Sequence, residues 1–154
     1  MTERIKVTDR YTIEKTPPTE DRVGHLSREG YRSLVNLRTH GEQNEVLSPG
    51  EEGKVADAHG LAYLNIPVSP QDINHDTADR FHDEVSRLPG PVAIHCASGR
   101  RAGLFTFIHV GRQLDMDGHE AATHAESHGY EFASPGAREF LRSAVDNHER
   151  DPEP

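Results

Sequence analysis

The chain has a single cysteine, Cys96, which excludes an internal disulfide and any metal centre built from several of its own thiolates. Positive charge is also in deficit: 17 Lys+Arg stand against 26 Asp+Glu, a formal charge of −9 that repels phosphate backbones and anionic lipid. Apolar residues make up only 33% of the chain, less than the usual share of about 45–50%. They are nevertheless grouped, as in Leu61–Val68 and Pro91–Cys96, which favours a small folded core over disorder. No stretch approaches the roughly 20 apolar residues of a membrane span, and the first ten residues lack the apolar segment of a secretory signal. A soluble, cytoplasmic protein is expected, with neither membrane nor nucleic acid as partner. There is no internal repeat or low-complexity linker, and 154 residues suit one domain, expected over 1–148, with a polar tail at 149–154 expected to fray.

Strand and helix patterns alternate along the chain. Arg10–Glu14 alternates and is ended by Pro17-Pro18, which suits a short edge strand. A helix is expected from Thr19, a capping residue followed by Glu20 and Asp21 in the first turn, with Val23 and Leu26 on one face. Ser33–Arg38 reads as a strand leaving the core at its charged end. Ser48-Pro49 followed by Glu51 and Glu52 starts the next helix, which Gly60 closes. Leu61–Ile66 is a strand. A helix then runs from about Asp76 or Thr77 and buries Phe81, Val85 and Leu88. Pro91–His95, nearly all apolar, suits a central parallel strand covered on both faces. Helices are expected after Arg101, over about Asp117–His128 and over about Pro135–Asn147. The fold class is therefore α/β, one domain with a mostly parallel sheet of four to five strands flanked by helices.

In such a sheet, right-handed crossovers bring the carboxyl ends of strands 61–66 and 91–95 to one rim, where ligands usually bind. Cys96 stands on that rim and begins a turn into a helix amino terminus. The backbone N–H groups of Ala97, Ser98, Gly99, Arg100 and Arg101 can converge there on an anion, and Gly99 lets the turn be tight. A lone cysteine after a strand is most often a small buried hydrophobe. Here the electropositive turn with Arg100 and Arg101 favours a thiolate nucleophile instead.

His95-Cys96-Ala97-Ser98-Gly99-Arg100-Arg101 resembles the active-site loop of cysteine-dependent phosphatases of the protein-tyrosine and dual-specificity type. It resembles still more the bacterial phosphatase-like domains known as DUF442, sometimes fused to metallo-β-lactamase-like hydrolases. Leu34–Arg38 with Glu42, Gly60–Tyr63 leading to Ile66–Val68, and Gly129-Tyr130 carry the same resemblance, over about residues 10–132. It implies a phosphatase without metal or other cofactor that acts on phosphotyrosine or similar phosphomonoesters, carried by a protein or a small molecule. Cys96 would be the nucleophile, Arg101 and the loop Ala97–Arg100 the phosphate cradle. Two departures stand out. Four residues, not the usual five, separate Cys96 from Arg101, a spacing shared with DUF442-like domains and with rhodanese-like sulfurtransferases. Position 102 is alanine, where these families often place a serine or threonine that assists the departing thiolate.

The leaving oxygen of a phosphomonoester needs a proton, and a carboxylic acid on a mobile rim loop is the usual source. Asp72 is the first candidate, and Asp76, whose position suits a helix cap, is the second; a site without a dedicated acid is the third. Arg38 with Glu42 reads equally as a support behind the loop or as an exposed ion pair. His95 is expected to fix the loop by a hydrogen bond. His124 and His128, at i, i+4 with Glu120 one turn earlier, are read as a solvated face, since no His-Glu-x-x-His pattern is present. Two further functions remain open: a sulfurtransferase carrying a persulfide on Cys96, and a weakly active phosphate-binding regulatory module.

Overall fold

The computed structural model describes residues 4–42 and 45–147; the expected frayed tail lies outside the described residues. Eleven elements follow in chain order: β1 Arg4–Lys6, β2 Tyr11–Glu14, α1 Glu20–Arg28, β3 Ser33–Asn36, α2 Pro49–Ala58, β4 Ala62–Asn65, α3 His75–Val85, β5 Val92–His95, α4 Arg100–Gln113, α5 Gly118–Ser127 and α6 Pro135–Asp146. The sheet order is β1-β2-β5-β3-β4. β2, β5, β3 and β4 pair in parallel, and β1 is antiparallel to β2. The α/β class, the mostly parallel sheet and the central place of β5 are as the sequence predicts.

The edge assignment of Arg10–Glu14 is corrected. β2 lies inside the sheet, with β1 outside it in the register Ile5↔Ile13. β1 escapes periodicity because it is three residues long, with one apolar residue, Ile5, between charged neighbours. The third helix also begins earlier than expected. Asn74 caps it by accepting from the Thr77 N–H, and Thr77 Oγ1 accepts from the Asn74 N–H, so Asp76 sits in the first turn and is not the cap. Thr19 caps α1, and Ser48 with Glu51 forms a reciprocal capping box at the start of α2.

Strand alternation splits the core between two faces. Leu34 and Ala93 point to one side and pack with Val23, Leu26, Ala56 and Leu61 beneath α1 and α2. Val35, Val92 and Ile94 point to the other, where α3, α4, α5 and α6 bury the larger cluster around Phe81, Phe105, Phe107 and Ile108. Each such side chain contributes about 1.5–3 kcal/mol when fully buried, so this second face carries most of the apolar stabilisation. Helix α4 runs through its centre, buried from Arg101 to Arg112. No helix among the described residues is long and apolar enough to cross a membrane.

One polar chain crosses the larger core. Tyr11 accepts from Arg10 Nε at 3.0 Å, and its hydroxyl lies 2.9 Å from His109 Nε2, while His109 Nδ1 lies 2.8 Å from His82 Nδ1. Burial, with the nearby charges of His82, Arg10 and Arg112, pushes His109 down to about 3. The folded state therefore binds fewer protons here than the unfolded chain. Stability should be fully present above the ordinary histidine value of about 6.5 and fall with pH below it, by up to about 1.4 kcal/mol per pH unit from this group. Burial pushes His124 in the same direction. Thermal melts between pH 6.5 and 5 are expected to show this fall, with a shallower slope for His109→Gln; identical slopes would remove His109 as a cause.

Candidate active site

β5 ends at His95, and the chain turns through residues 96–99 into α4. Gly99 caps that helix in the left-handed region at φ +89°, a conformation that a side chain would strain. A Cβ there would also lie 3.2 Å from the Lys15 Cα. The expected tight turn is present. Cys96 is 1% exposed, and its Sγ accepts from the Ala102 N–H at 3.3 Å. Ala97, Ser98 and Arg100 are exposed around it, and Gly99 is buried.

The Arg101 side chain is buried and held on both sides of its fork. One terminal nitrogen donates to Glu42 Oε2 and to the Val68 carbonyl, each at 2.8 Å; the other donates to Glu42 Oε1 at 2.8 Å. Glu42 also accepts from Arg38 Nε at 3.3 Å and, at Oε2, from the Thr39 N–H at 2.7 Å and the Thr39 hydroxyl at 3.0 Å. Chiefly because of the Arg101 hydrogen bonds, its pKa is held at about 2 despite desolvation. Glu42 in turn raises Arg101 above its ordinary value against the cost of burial, with the charge of Cys96 acting in the same sense. Arg38 is 3% exposed, which decides between the two sequence readings: Arg38 with Glu42 supports the loop from behind.

A second set of contacts underlies the cysteine. His95, fully buried, has Nε2 2.6 Å from Glu52 Oε2 and Nδ1 3.4 Å from the Cys96 carbonyl oxygen. Glu52 comes from α2 and is itself 1% exposed. Tyr63 accepts from Asn36 Nδ2 at 3.1 Å, and burial, together with the charge of Glu52, pushes its hydroxyl pKa up. Asn65 Nδ2 donates to the carbonyls of Asn36 and Arg38, at 2.8 and 3.1 Å, and fastens the chain as it leaves β3. Sequence reasoning read Glu52 only as a first-turn acid, took Asn36 and Tyr63 only as part of the segments that carry the family resemblance, and gave Asn65 no part in the site. A polar residue at the carboxyl end of each of two adjacent strands was the available signal.

From the other side, the Tyr130 hydroxyl donates to the Arg100 carbonyl at 2.7 Å. Its ring occupies the space left by Gly103, where a Cβ would overlap it. Burial, and next the charge of Cys96, pushes Tyr130 up.

Asp72 is exposed, in the loop between β4 and α3. Its carboxylate accepts from the Ser69 hydroxyl at 3.0 Å, and its carbonyl accepts from the Thr77 hydroxyl at 3.2 Å. The structure thus brings Cys96, Arg101 and residues 97–100 together. It leaves Asp72 on the exposed loop between β4 and α3, four residues beyond Val68, whose carbonyl is bonded to Arg101, and puts Asp76 in the first turn of α3. The solvated-face reading of His124 and His128 is corrected: both are partly buried, with ring centroids 5.7 and 6.0 Å from Phe107. The described residues contain no cluster of three or more potential metal ligands.

A parallel sheet with one antiparallel edge, a cysteine between its central strand and a buried helix, and an arginine locked at the helix start form the frame of a phosphatase-like α/β domain. Residues 6–111 match the family described as the phosphatase-like domain of β-lactamase hydrolase-like proteins, and the chain belongs to that family. A β-lactamase hydrolase-like protein of Xylella fastidiosa is 32% identical over 132 residues, which cover 83% of this chain and 30% of the relative. The chain thus spans about a third of the length of the curated relatives it matches. Among solved structures, a phosphatase-like protein of Neisseria meningitidis superposes with a TM-score of 0.76 at 18% identity, over 94% of this chain and 99% of its own. A DUF442 protein of Shewanella putrefaciens gives 0.75 at 19%, over 96% and 95%.

Proposed function

We propose that the chain is a cysteine-dependent phosphatase that hydrolyses phosphomonoesters through a cysteinyl-phosphate intermediate. The observation that carries this reading is the hold on Arg101. Glu42 and the Val68 carbonyl fix the guanidinium beside Cys96 before any substrate arrives, the preorganisation that charge stabilisation requires. Cys96 as thiolate attacks phosphorus, the N–H groups of the loop Ala97–Arg100 and the remaining donors of Arg101 hold the non-bridging oxygens, and the ester P–O bond breaks. Asp72 gives its proton to the leaving oxygen. Water then attacks phosphorus, the P–S bond breaks, Asp72 takes back a proton, and inorganic phosphate leaves. No metal takes part. Position 102 offers only its backbone N–H to Sγ, so the second step lacks a hydroxyl to assist the departing sulfur. The substrate is a phosphorylated tyrosine or a similar monoester, on a protein or a small molecule.

The short spacing between Cys96 and Arg101 favours one second reading. In sulfur transfer, Cys96 attacks the outer sulfur of thiosulfate, sulfite leaves, and a thiol acceptor then takes the sulfur from the resulting persulfide. Parallel assays of ester hydrolysis and of thiosulfate-to-thiol transfer decide between the two.

The Asp72 role has its own signature. Asp72→Asn is expected to lower kcat/KM for an alkyl phosphate by about 10²–10³-fold, because an alkoxide leaves poorly without a proton, and to change an activated aryl phosphate by less than about tenfold. Sulfur transfer, which releases no alkoxide, would barely respond. Equal losses on both esters would mean that Asp72 only shapes its loop, and Asp76 would be tested next.

A further inference from the structure

A cavity of about 200 Å³ opens beside the loop edge Ser98–Arg100, lined also by Ile5, Lys15, Gly129, Tyr130 and Glu131. At about 30 Å³ per water it has room for several times the volume of a water molecule. Its charges are unusual for this chain. Acids outnumber bases by 26 to 17, and among the described residues eight arginines are paired with carboxylates. Lys15 and Arg100, by contrast, form no ion pair among the described residues, yet both line this cavity against a single carboxylate, Glu131.

The backbone explains why Lys15 is here. Glu14 of β2 is in register with His95 of β5, so the next residue, Lys15, leaves the sheet level with the cysteine and packs along Gly99. Arg100 follows Gly99 along the same loop edge, its carbonyl tied down by the Tyr130 hydroxyl, whose ring lines the recess. Two cations therefore flank one recess that shares the Ser98–Arg100 edge with the proposed phosphate cradle.

We infer that this recess is a second anion subsite, and that the preferred substrate is a small phosphomonoester whose carbon skeleton carries a second phosphate. This deepens the phosphatase reading and rests on it. With the reacting phosphoryl group over Cys96, the second phosphate sits beside Lys15 Nζ and the Arg100 guanidinium. Lys15 acts as a point charge and Arg100 as a planar donor. Glu131 opposes the second phosphate and sets a ceiling on its affinity.

Binding is measured by calorimetry on the full chain carrying Cys96→Ser, which removes turnover and leaves the recess intact. The probes are glycerol 3-phosphate and glycerol 1,3-bisphosphate. The bisphosphate is expected to bind at least about tenfold more tightly. Adding Lys15→Gln, which keeps the Cβ and Cγ that touch Gly99, should reduce that preference to within about threefold, whereas Arg28→Gln, on a distant face, should leave it unchanged. Glu131→Gln should widen it. Equal affinity for the two esters, failure of both to bind, or a preference indifferent to Lys15→Gln overturns the subsite. Hydrolysis by the unmutated chain is followed separately with an aryl phosphate: no turnover there, beside a Lys15-dependent preference in binding, would remove the phosphatase reading and leave the subsite standing.

Discussion

Cys96→Ser is expected to lower ester hydrolysis by at least about 10⁴-fold, the scale seen when a covalent nucleophile is removed and only binding and oxyanion contacts remain. The hydroxyl is close in size to the thiol and can accept from the Ala102 N–H as Sγ does, so the buried packing around it is kept. The melting temperature should therefore move by no more than a few degrees, roughly the consequence of a 1 kcal/mol change in a domain of this size. Activity and stability thus separate in one variant. Wild-type turnover by the serine protein would falsify the covalent route. A large drop in melting temperature would instead assign Cys96 a packing role.

The second large effect is expected at Arg101. Replacing it with lysine keeps the charge and removes the fork that bonds both oxygens of Glu42 together with the Val68 carbonyl. A lysine offers one nitrogen where the fork offers two, so it cannot bond both Glu42 oxygens in parallel while holding the Val68 carbonyl, and its ammonium is not fixed in a plane toward substrate. A loss of about 10²–10³-fold in kcat/KM is the usual cost of removing one preorganised donor to developing charge. Some stability should be lost as well, of the order of 1–2 kcal/mol, because among the described residues Glu42 then keeps Arg38 and Thr39 alone. Arg100→Lys serves as the control. Arg100 is exposed, its carbonyl and not its side chain is the group Tyr130 holds, and the change should cost less than about threefold on a simple aryl phosphate. The reverse ranking would mean that the neighbouring arginine faces the substrate.

The sheet and the cysteine loop were legible because their signals are local. Pro91–His95 is a compact apolar run, Ser48-Pro49 with Glu51 is a helix start, and Cys96, Gly99 and Arg101 lie within six residues of one another. β1 was not legible, since three residues carry no periodicity. The supports of the site were legible only in part, because they join distant parts of the chain: Glu42 reaches Arg101 across 59 positions and Glu52 reaches His95 across 43. Nothing in the neighbourhood of Glu52 marks it off from an ordinary first-turn carboxylate. Its partner becomes evident only once α2 is laid over β5. The pair His124, on α5, and His128, at its carboxyl-terminal cap, differs from the sequence reading for the same reason, since Phe107, which packs against both rings, comes from another helix.

The unequal division of the core has a consequence for how the site fails. Glu52 is delivered to His95 by α2, which belongs to the thinner face, where Val23, Leu26, Leu34, Ala56, Leu61 and Ala93 form a small cluster. Local opening draws first on regions with little buried apolar surface, at a free energy below that of global unfolding. Detachment of the α1–α2 layer would leave the helical face and α4 assembled while His95 lost its carboxylate. On warming, the His95–Glu52 contact is therefore expected to loosen before the helical face melts, and amide exchange in α2 that sets in below the global melting temperature would show it.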